Sequence, residues 1–576
     1  MARLALAALA VFLLTSVLAL GVRPLIAHDE ARYAAIPAEM LESGDWTQLR
    51  LAGFRYYEKP PLGYWMTAAS MRLLGPSEFA IRLPCAIAGG VAALAAWWVA
   101  VRITGRRSDG PLAFLVQVTT LGPAVLATLA LLDPPFAACI AVTMAAFWAA
   151  CTSRGRARMG WLLLAGVAAG AGFLIKGLLA MAIPGVAAAG FLLWERRWRD
   201  LLLMPWIPLA GAAAAIAPVA IVMHRAEPDF WRYFIEIEHI RRFTNPDANQ
   251  HPQPWWLYLA IFPVGAFMWT LAWPRAISGL LTDPHIRSGI RFCICWIALP
   301  IGALSMSSGK LPTYILPLYV PVSVLVAIGL RAAFDQGAVR RQPADDAGPI
   351  ALGAIAALAL TLAAIGPELL GIESPWRDGA RVPLLIIAGV SMLWIAIDRW
   401  GWRARDADAW VSRQALAVTP MICSLALLFP DAVAPRTKVP WAVLDAHRNS
   451  MADASLLLTS AETAHAVTWA TGRRDFAILG RPSEFDNELG LATEGARLVP
   501  WPRAHGTIRH ALSLPGTSVV LVADPWMAES LRSDRALPPA AVDELHGNIA
   551  VMRWSAPLHS ADASDGPSSS AHADPH

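Results

Sequence analysis

Long stretches without charged residues constrain the fold of this chain more than any motif does. Thirteen such stretches have roughly the 17 to 25 residues that a helix needs to cross a bilayer core. The mean hydropathy of +0.47 and the 56% content of hydrophobic residues support the same conclusion. We therefore predict a polytopic α-helical membrane protein with about 13 transmembrane helices. The predicted spans are 4–26, 83–101, 111–132, 134–151, 159–175, 177–194, 201–223, 255–274, 292–308, 311–330, 350–370, 382–398 and 413–430.

Arginines fall on alternate loops between these spans, which indicates an orientation. Short loops rich in Lys and Arg stay in the cytoplasm, so we expect a cytoplasmic N-terminus. The first span is too long for a signal peptide and is predicted to be a retained anchor. The net charge of +4 is accounted for by the loop arginines and gives no sign of nucleic-acid binding. The first basic loops carry Arg102, Arg106, Arg107, Arg154, Arg156, Arg158, Arg196, Arg197 and Arg199.

The chain is predicted to divide into three parts. Residues 1–430 form the transmembrane region, with 27–76 as its first periplasmic loop. Residues 431–557 form a small periplasmic α/β domain, because 454–460, 476–480, 518–524 and 549–554 have the pattern of short buried strands. The tail 558–576, rich in Ser, Ala, Asp and His, has little to bury and is predicted to be disordered.

The first periplasmic loop has the pattern of two amphipathic helices lying along the membrane boundary. The first is expected at about 30–43 and stops at Gly44. The second opens at Pro60-Pro61, where proline at a helix start is tolerated, and places Leu62, Trp65 and Leu73 on one apolar stripe.

Five consecutive outer loops carry polar residues that the topology does not require. They hold Asp29, Glu30, Arg32, Tyr33, Tyr56, Tyr57, Glu58 and Lys59 in the first loop, Asp133 in the second, Lys176 in the third, His239, Arg241, Arg242 and His251 in the fourth, and Lys310 and Tyr314 in the fifth. We expect these side chains to enclose a single polar cavity at the outer membrane boundary.

An ordered set of motifs carries a family resemblance. HDEARY (28–33), YYEKPPLGYW (56–65), LIKGLLAMAIPG (174–185) and SSGKLPTYILPLY (307–319) resemble the polyprenyl-phosphate-dependent glycosyltransferases of the GT-C class. Within that class the chain is similar to the 4-amino-4-deoxy-L-arabinose lipid A transferases, which are related to protein O-mannosyltransferases. The resemblance covers residues 1 to about 330. It implies an undecaprenyl (polyprenyl) phosphate sugar donor, transfer with inversion on the periplasmic side, and lipid A or another cell-envelope molecule as acceptor.

The resemblance also suggests roles for the outer-loop residues. Asp29 resembles the family's catalytic carboxylate, with Glu30 and Arg32 beside it. It would act as general base toward a hydroxyl acceptor, or orient a phosphate acceptor whose second pKa of ~6 leaves it already ionised. Cations near the leaving phosphate stabilise the transition state more than the ground state. The donor phosphate-binding candidates are Lys59, Arg242 and Lys310; Arg241 is equivalent to Arg242 by sequence. The substrate-binding candidates are Tyr33, Tyr56, Tyr57, Glu58, Tyr314 and Asp133.

Several alternatives stay open at the level of sequence. Glu58 with His239 or His251 could bind a divalent metal such as zinc, although no tight ligand spacing supports it. Asp29 could cap a helix, the tyrosines could anchor the membrane interface, and the lysines at span ends could snorkel. Protein O-mannosylation is the alternative reaction. A transporter or flippase is the alternative without chemistry, but the predicted spans lack the internal charges that transporters place near the midplane.

Overall fold

The structure is a computed structural model that describes residues 2–26, 29–241, 252–307, 309–337, 347–365, 381–401, 403–428, 441–480, 497–546 and 549–556. The chain forms two compact units, Met1–Val439 and Pro440–His576. The predicted tail 558–576 lies outside the described residues.

The first unit is helical apart from one short hairpin. Its helices are α1 (Ala2–Phe12), α2 (Glu30–Ser43), α3 (Leu62–Leu74), α4 (Glu78–Thr104), α5 (Asp109–Thr119), α6 (Leu121–Leu126), α7 (Asp133–Thr152), α8 (Gly155–Lys176), α9 (Leu179–Trp194), α10 (Trp198–Leu203), α11 (Trp206–Ala226), α12 (Phe230–Arg232), α13 (Leu257–Gly265), α14 (Trp269–Leu280), α15 (Arg287–Met306), α16 (Tyr319–Asp335), α17 (Ala347–Ile365), α18 (Arg381–Gly401) and α19 (Ala407–Leu428). The hairpin pairs β1 (Arg50–Leu51) with β2 (Phe54–Arg55). Tyr233–Arg241 is π-helical, and Pro312–Leu318 forms a 3-10 helix.

Seven helical segments among the described residues are long and apolar enough to cross a membrane. They are Glu78–Thr104, Asp133–Thr152, Gly155–Lys176, Trp198–Ala226, Pro284–Met306, Pro312–Asp335 and Leu384–Gly401. The pair α13 and α14 makes an eighth if it is counted as one span. The chain is therefore a multi-pass membrane protein, and the predicted total of thirteen spans stays a prediction.

Several predicted spans are not single α-helices. Of the span 4–26 only the part up to Phe12 is α-helical, and 201–223 is divided between α10 and α11. The span 255–274 is divided between α13 and α14, whose axes meet at 91°, and Met268 between them has a positive φ of 72°. The span 111–132 breaks at Thr120, which is extended (ψ 123°) between α5 and α6. The Thr119 and Thr120 hydroxyls bond back to carbonyls of the preceding turn, an arrangement that bends helices. The predictions of a continuous span at 255–274 and at 111–132 were wrong for these local reasons.

Both amphipathic helices of the first loop are confirmed. α2 ends at Gly44, whose φ of 71° is left-handed and suits glycine. α3 begins after Pro61. Its inner face buries Tyr64 and Met71, whereas Leu73 on the predicted apolar stripe is 82% exposed. Leu62 and Trp65 of the same stripe are partly buried, and the Trp65 indole donates to the Trp46 carbonyl at 2.7 Å, so the stripe is exposed only toward its end.

The second unit contains a six-stranded mixed sheet. Its strands are β3 (Leu456–Ser460), β4 (Ala477–Leu479), β5 (Leu498–Val499), β6 (Ser518–Ala523), β7 (Val542–His546) and β8 (Ile549–Ser555), in the order β5-β4-β3-β6-β8-β7. β5, β4, β3 and β6 are parallel, and β8 and β7 are antiparallel additions. The helices of this unit are α20 (Trp441–Ala446), α21 (Arg448–Ala452), α22 (Ala461–Thr471), α23 (Trp501–Leu512) and α24 (Pro525–Arg532). Leu458, Leu521, Ile508 and Trp554 share its core.

A buried carboxylate ties the first loop to the helical unit. Glu30 is fully buried and lies 2.8 Å from the Arg82 guanidinium of α4 and 2.7 Å from that of Arg23. The backbone N–H groups of Ile26 and Ala130 also donate to it, at 3.0 and 2.8 Å. Burial alone would raise the pKa of Glu30, but the hydrogen bonds and charges of Arg82 and Arg23 lower it from its ordinary value of 4.5 to about 2. The start of α2 is thereby fixed against α4 and the segment before α7.

Replacing Glu30 by Gln should destabilise the protein by about 3–5 kcal/mol, because two buried guanidinium groups lose their counter-charge. Thermal unfolding of the purified protein in detergent measures the change. Because the pKa of Glu30 is lowered by folding, its contribution is complete above pH 4.5 and is lost as the pH falls toward 2. The exposed Glu42 on the same helix is the control: Glu42→Gln should change stability by about 0.5 kcal/mol or less. Equal melting temperatures for the two variants would contradict the assignment.

Candidate active site

The first loop brings an arginine, a glutamate and three tyrosines into one cluster. The Arg32 guanidinium lies 4.0 Å from the Glu58 carboxylate and 5.1 Å from the centroid of the Tyr33 ring. The Tyr33 and Tyr64 rings are stacked, with centroids 6.0 Å apart. The Tyr56 hydroxyl donates to Glu58 at 3.4 Å and accepts from the Tyr64 hydroxyl at 3.2 Å. These five residues, Arg32, Tyr33, Tyr56, Glu58 and Tyr64, are called the Arg32 cluster. In it, the Arg32–Glu58 ion pair lies beside tyrosine rings.

Lys59 joins the first loop to the fourth. Its ammonium group lies 3.1 Å from the carboxylate of Glu238, in the π-helical segment Tyr233–Arg241, and 4.0 Å from that of Glu58. It also donates to the Glu58 backbone carbonyl at 2.9 Å. The Glu238 side chain is buried, so this pair is shielded from water on one side. Lys59, one of the predicted phosphate-binding cations, is therefore held by a carboxylate from a loop that is distant in the sequence.

The second, third and fifth loops meet at a second ion pair. Lys176, the last residue of α8, pairs with Asp133, the first residue of α7. The Lys176 ammonium also lies over the Tyr314 ring, 4.9 Å from its centroid, and 5.9 Å from that of Phe136. Both partners of the ion pair are about one-tenth exposed. Asp133 and Tyr314, both predicted to bind substrate, are thus in contact with one cation.

The second ion pair adjoins the Arg32 cluster through Tyr33. Burial raises the pKa of the Tyr33 hydroxyl. Among the nearby charges, those of Arg32 and Lys176 lower this pKa, and those of Asp133 and Glu58 raise it. Both ion pairs are therefore within electrostatic reach of the same hydroxyl.

A close backbone approach joins the third loop to the fourth. Gly177 has a φ of 93°, and a Cβ at this position would lie 2.4 Å from His239 Nε2 and 2.8 Å from Phe234. The Leu178 N–H donates to His239 Nε2 at 3.3 Å, and His239 Nδ1 donates to the Phe234 carbonyl at 2.8 Å. Only glycine fits here, for reasons of both conformation and space.

Lys310 holds the fifth loop against the end of the fourth. Its buried ammonium donates to the backbone carbonyls of Gln253 (3.1 Å) and Ser307. Gly309 and Pro252 form an isolated β-bridge beside it. Both of these partners are neutral, and within the described part of the chain no carboxylate pairs with Lys310. The five outer loops that the sequence grouped together are thus linked in one continuous series of contacts.

Two predicted site residues occupy structural positions. Both carboxylate oxygens of Glu30 accept hydrogen bonds within the buried network described above. This favours a structural role for Glu30 over the predicted catalytic one. Tyr57 is buried, and its hydroxyl donates to Glu227 at 2.8 Å. Arg50 and Arg55 of the hairpin reach the same carboxylate at 3.4 and 3.5 Å. Tyr57 therefore fastens the hairpin to the residues before α12, which argues against the sugar-binding role predicted for it.

Asp29 lies at the N-cap position of α2 and is partly buried. It makes no side-chain capping hydrogen bond with the helix, so the capping alternative gains no support. Arg242 and His251 lie outside the described residues, and the side chain of Arg241 does as well. The predictions for these residues stay predictions.

The metal alternative does not fit the described residues. No group of three or more His, Cys, Asp or Glu side chains able to hold a metal ion occurs among them. Glu58 faces the cations of Arg32 and Lys59, and both ring nitrogens of His239 are occupied by backbone groups. A zinc ion at Glu58 and His239 would have to displace these contacts.

Sequence reasoning missed two residues of this region and gave no role to a third. Glu238 and Tyr64 were not proposed, although Glu238 precedes the predicted basic pair 241–242 by a few residues. Lys176 was named only as an outer-loop cation that could snorkel. Its place directly before Gly177 was the available signal, because a glycine at a helix end often marks a tight turn. The pairings themselves join residues far apart in the chain and leave no local pattern.

Comparison with known proteins agrees with this architecture. Residues 1–234 match the family model described as dolichyl-phosphate-mannose-protein mannosyltransferase. The chain is 35% identical over 486 residues to an undecaprenyl phosphate-alpha-4-amino-4-deoxy-L-arabinose arabinosyl transferase of Erwinia tasmaniensis, covering 83% of this chain and 85% of that protein. It is 31% identical over 550 residues to the arabinosyl transferase 2 of that type from Pseudomonas fluorescens, covering 94% and 97%.

A solved structure shares the fold. The crystal structure of ArnT from Cupriavidus metallidurans bound to undecaprenyl phosphate superposes with a TM-score of 0.78 at 22% identity, covering 95% of this chain and 97% of that one. The relatives at 31 and 35% identity, together with the shared fold, define the class as a GT-C membrane glycosyltransferase. Within that class, the chain belongs to the family of undecaprenyl phosphate-alpha-4-amino-4-deoxy-L-arabinose arabinosyl transferases.

Replacing Gly177 by Ala should separate the third and fourth outer loops, because the new methyl group would overlap the His239 ring. We expect a destabilisation of about 1–3 kcal/mol, together with faster proteolysis in the segment 233–241. Limited proteolysis and thermal unfolding test this. Gly105, which follows α4, is the matched control, since its φ of 72° is also left-handed but a Cβ there meets nothing within 4 Å. If Gly177→Ala and Gly105→Ala behave alike, the close approach does not hold the loops together.

Proposed function

We propose that this protein transfers 4-amino-4-deoxy-L-arabinose from undecaprenyl phosphate to a phosphate group of lipid A, on the periplasmic side of a bacterial inner membrane. The supporting observation is the series of contacts that joins all five outer loops. It occurs in a chain that two curated relatives match over 83 and 94% of its length, and their names give the sugar and its undecaprenyl phosphate carrier. The structure thus supplies a preorganised polar region where such a reaction would take place.

The charge balance of the region suits a leaving lipid phosphate. Arg32, Lys59 and Lys176 each face a carboxylate, so these three cations are held in place without substrate. When the glycosidic bond breaks, the departing phosphate gains negative charge. Fixed cations near it then lower the barrier, because they need no reorganisation at that moment. Lys59 is assigned to the donor phosphate, with Glu238 holding its ammonium group until the phosphate arrives.

Lys310 is assigned as a second phosphate-binding cation. The buried Lys310 ammonium bonds only to neutral carbonyls among the described residues, so no carboxylate of the site has to be displaced before an anion can approach it. An anion placed beside it would recover part of the desolvation cost of that charge. Arg242 is retained as a third cation, since a guanidinium can bind phosphate through two hydrogen bonds.

The remaining candidates divide between reaction and recognition. Asp29 is assigned to the acceptor, because Glu30, its neighbour, is committed to the buried network. With a lipid A phosphate as acceptor, whose second pKa is ~6, the nucleophile is largely ionised at neutral pH and Asp29 orients it. Tyr33 and Tyr314 offer hydroxyls and ring faces to the pentose. Tyr56 is as buried as Tyr57 and its hydroxyl is bonded to Glu58 and Tyr64, so it is assigned to holding Glu58 in place. Asp133 is assigned to the amino group of that sugar. Its carboxylate would then be shared between this amino group and Lys176.

Protein O-mannosylation remains the second candidate reaction. The family model that matches residues 1–234 is the one described as dolichyl-phosphate-mannose-protein mannosyltransferase. The two reactions share a lipid-phosphate sugar donor and differ in the acceptor. A transfer assay that offers both acceptors separates them.

Lys59→Met and Lys310→Met should each lower transfer by about 10²–10³-fold, the loss expected when one preorganised charge is removed from a transition state. The assay uses membranes containing the protein, undecaprenyl phosphate-linked aminoarabinose, and lipid A or an acceptor peptide. Mass spectrometry identifies the product. Asp29→Asn should lower the rate without removing its rise through pH ~6, because that rise belongs to the acceptor phosphate.

Arg72→Gln is the control, since Arg72 is an exposed basic residue on α3, and it should leave transfer unchanged. Full activity of Lys59→Met in correctly inserted protein would contradict the site. Sugar found on the peptide instead of lipid A would favour the mannosyltransferase alternative. Movement of donor lipid across the membrane without any glycosylated product would favour a flippase.

The orientation of the chain is part of this proposal. The basic loops between the spans support a cytoplasmic N-terminus and a periplasmic second unit, Pro440–His576. Alkaline phosphatase fused after residue 556 should be active, because that enzyme needs the oxidising periplasm, and a fusion in the loop at 105–107 should be inactive. The reverse pattern would place the outer loops in the cytoplasm.

A further inference from the structure

An apolar cleft runs along α9 in the helical unit, from Met181 near the start of the helix to Leu192 near its end. Its volume is about 200 Å³, and it is lined by residues of α7 to α11. From Met181 to Leu192 it follows α9 for about 16 Å at the helical rise per residue. Gly185 on α9 and Leu209 on α11 line it and are also exposed, so the cleft opens on the surface of the unit.

The cleft has no polar group to offer to a water molecule. Thr143 is the single hydroxyl in its lining, and that hydroxyl already bonds to the carbonyls of Cys139 (2.8 Å) and Ala165 (3.3 Å). Apolar cavities of this kind stay dry or take up hydrocarbon.

Helix packing keeps the cleft from closing. α8 and α11 are already in backbone contact: a Cβ on Gly170 would lie 2.9 Å from the Ala212 carbonyl oxygen, and one on Gly166 would overlap Pro208. The two helices cannot move closer together to fill the space. The segment Trp198–Ala226 is also the least buried of the seven candidate spans, with 17% of its apolar window inside the unit. The cleft is therefore a fixed groove on a face of the unit that is open to lipid.

One end of the cleft adjoins a basic rim. Leu201 in its lining directly follows Asp200, which pairs with Arg158 of α8 and, at 2.7 Å, with Arg197. Leu162 in the lining lies one turn after Arg158. Four further arginines lie at this end: Arg154, Arg156, Arg196 and Arg199. All four are exposed, and among the described residues no carboxylate pairs with them.

Tryptophans mark the depth of this rim. Trp194, Trp198 and Trp206 are each about half or more exposed around it. Indole rings concentrate at the boundary between hydrocarbon and headgroups. The rim therefore lies at headgroup level, and the cleft extends from it into the hydrocarbon.

We propose that this cleft and rim bind one anionic phospholipid of the surrounding leaflet. One acyl chain occupies the groove along α9, whose length of about 16 Å matches half of a bilayer core of ~30 Å. The headgroup phosphate sits among the exposed arginines. The charge of the rim selects an anionic headgroup over a zwitterionic one, and the apolar cleft supplies affinity without selectivity. This site is separate from the outer loops and does not depend on the proposed reaction.

Native mass spectrometry of the delipidated full-length protein tests the proposal with phosphatidylglycerol, phosphatidylethanolamine and an undecaprenyl phosphate standard. The wild type should retain phosphatidylglycerol in preference. Arg196→Gln with Arg199→Gln should weaken its binding about fivefold for each arginine removed, the effect of one basic residue at an anionic surface. Gly185→Leu should abolish retention, because a side chain at this open position projects into the groove without meeting neighbouring atoms.

Two controls match these variants. Arg287→Gln removes an exposed arginine from another loop, and Gly302→Leu adds the same side chain at an open position on α15; both should bind lipid like the wild type. Equal retention of phosphatidylglycerol and phosphatidylethanolamine would overturn the proposal. So would unchanged phosphatidylglycerol binding in the double arginine variant. Loss of undecaprenyl phosphate retention in Gly185→Leu would also overturn it, because the cleft would then hold the donor lipid and not a phospholipid.

Discussion

The buried carboxylate of Glu30 is the interaction on which the position of the outer region depends. It bonds to guanidinium groups from Arg23 and from Arg82 of α4, and to the Ala130 N–H just before α7. A buried charge of this kind is tolerated only when its partners are complete. Arg32 and Tyr33 follow Glu30 within the first turn of α2. The network around Glu30 therefore also fixes the position of these two residues. The first outer loop is thus anchored at its start by electrostatics rather than by apolar packing.

The outer region is held together by opposite charges brought from different loops. Lys59 meets Glu238, and Lys176 meets Asp133. Each pair fixes a cation that would otherwise repel its neighbours, and each carboxylate can be displaced by a phosphate that carries more charge. Preorganisation of this type costs stability in the empty protein, but it avoids reorganisation when charge develops on a substrate. Lys310 differs because its contacts are carbonyls, so its charge is already available.

Much of the fold follows from local sequence, and the exceptions have identifiable causes. Apolar length predicted α4, α7 and α8, and glycine and proline placed the ends of α2 and α3. Hydropathy could not show the break at Thr120 or the 91° bend before α14, because both depend on backbone geometry within apolar sequence. The motifs predicted which loops would meet.

Within the site, neighbours in the chain have different environments that sequence could not separate. Tyr56 joins the Arg32 cluster whereas Tyr57 fastens the hairpin, and Glu30 is buried whereas Asp29 is partly exposed. Successive side chains in an extended segment point in opposite directions, so a run such as YYEK serves two surfaces at once. The partner that decides each role, Glu227 for Tyr57 and Glu238 for Lys59, lies on a remote loop.

α8 connects the two regions for which roles are proposed. Its outer end carries Lys176, and its other end carries Arg158 beside the lipid cleft. A helix from Gly155 to Lys176 is about 33 Å long, close to the bilayer core thickness of ~30 Å. The length and the tilt of this helix together set the distance between its two ends across the membrane. If a phospholipid holds Arg158 and its neighbours at headgroup level, the depth of Lys176 at the opposite face is set by the length of the helix. The height of the outer ion pairs above the hydrocarbon would then depend on lipid contacts made on the other side of the membrane.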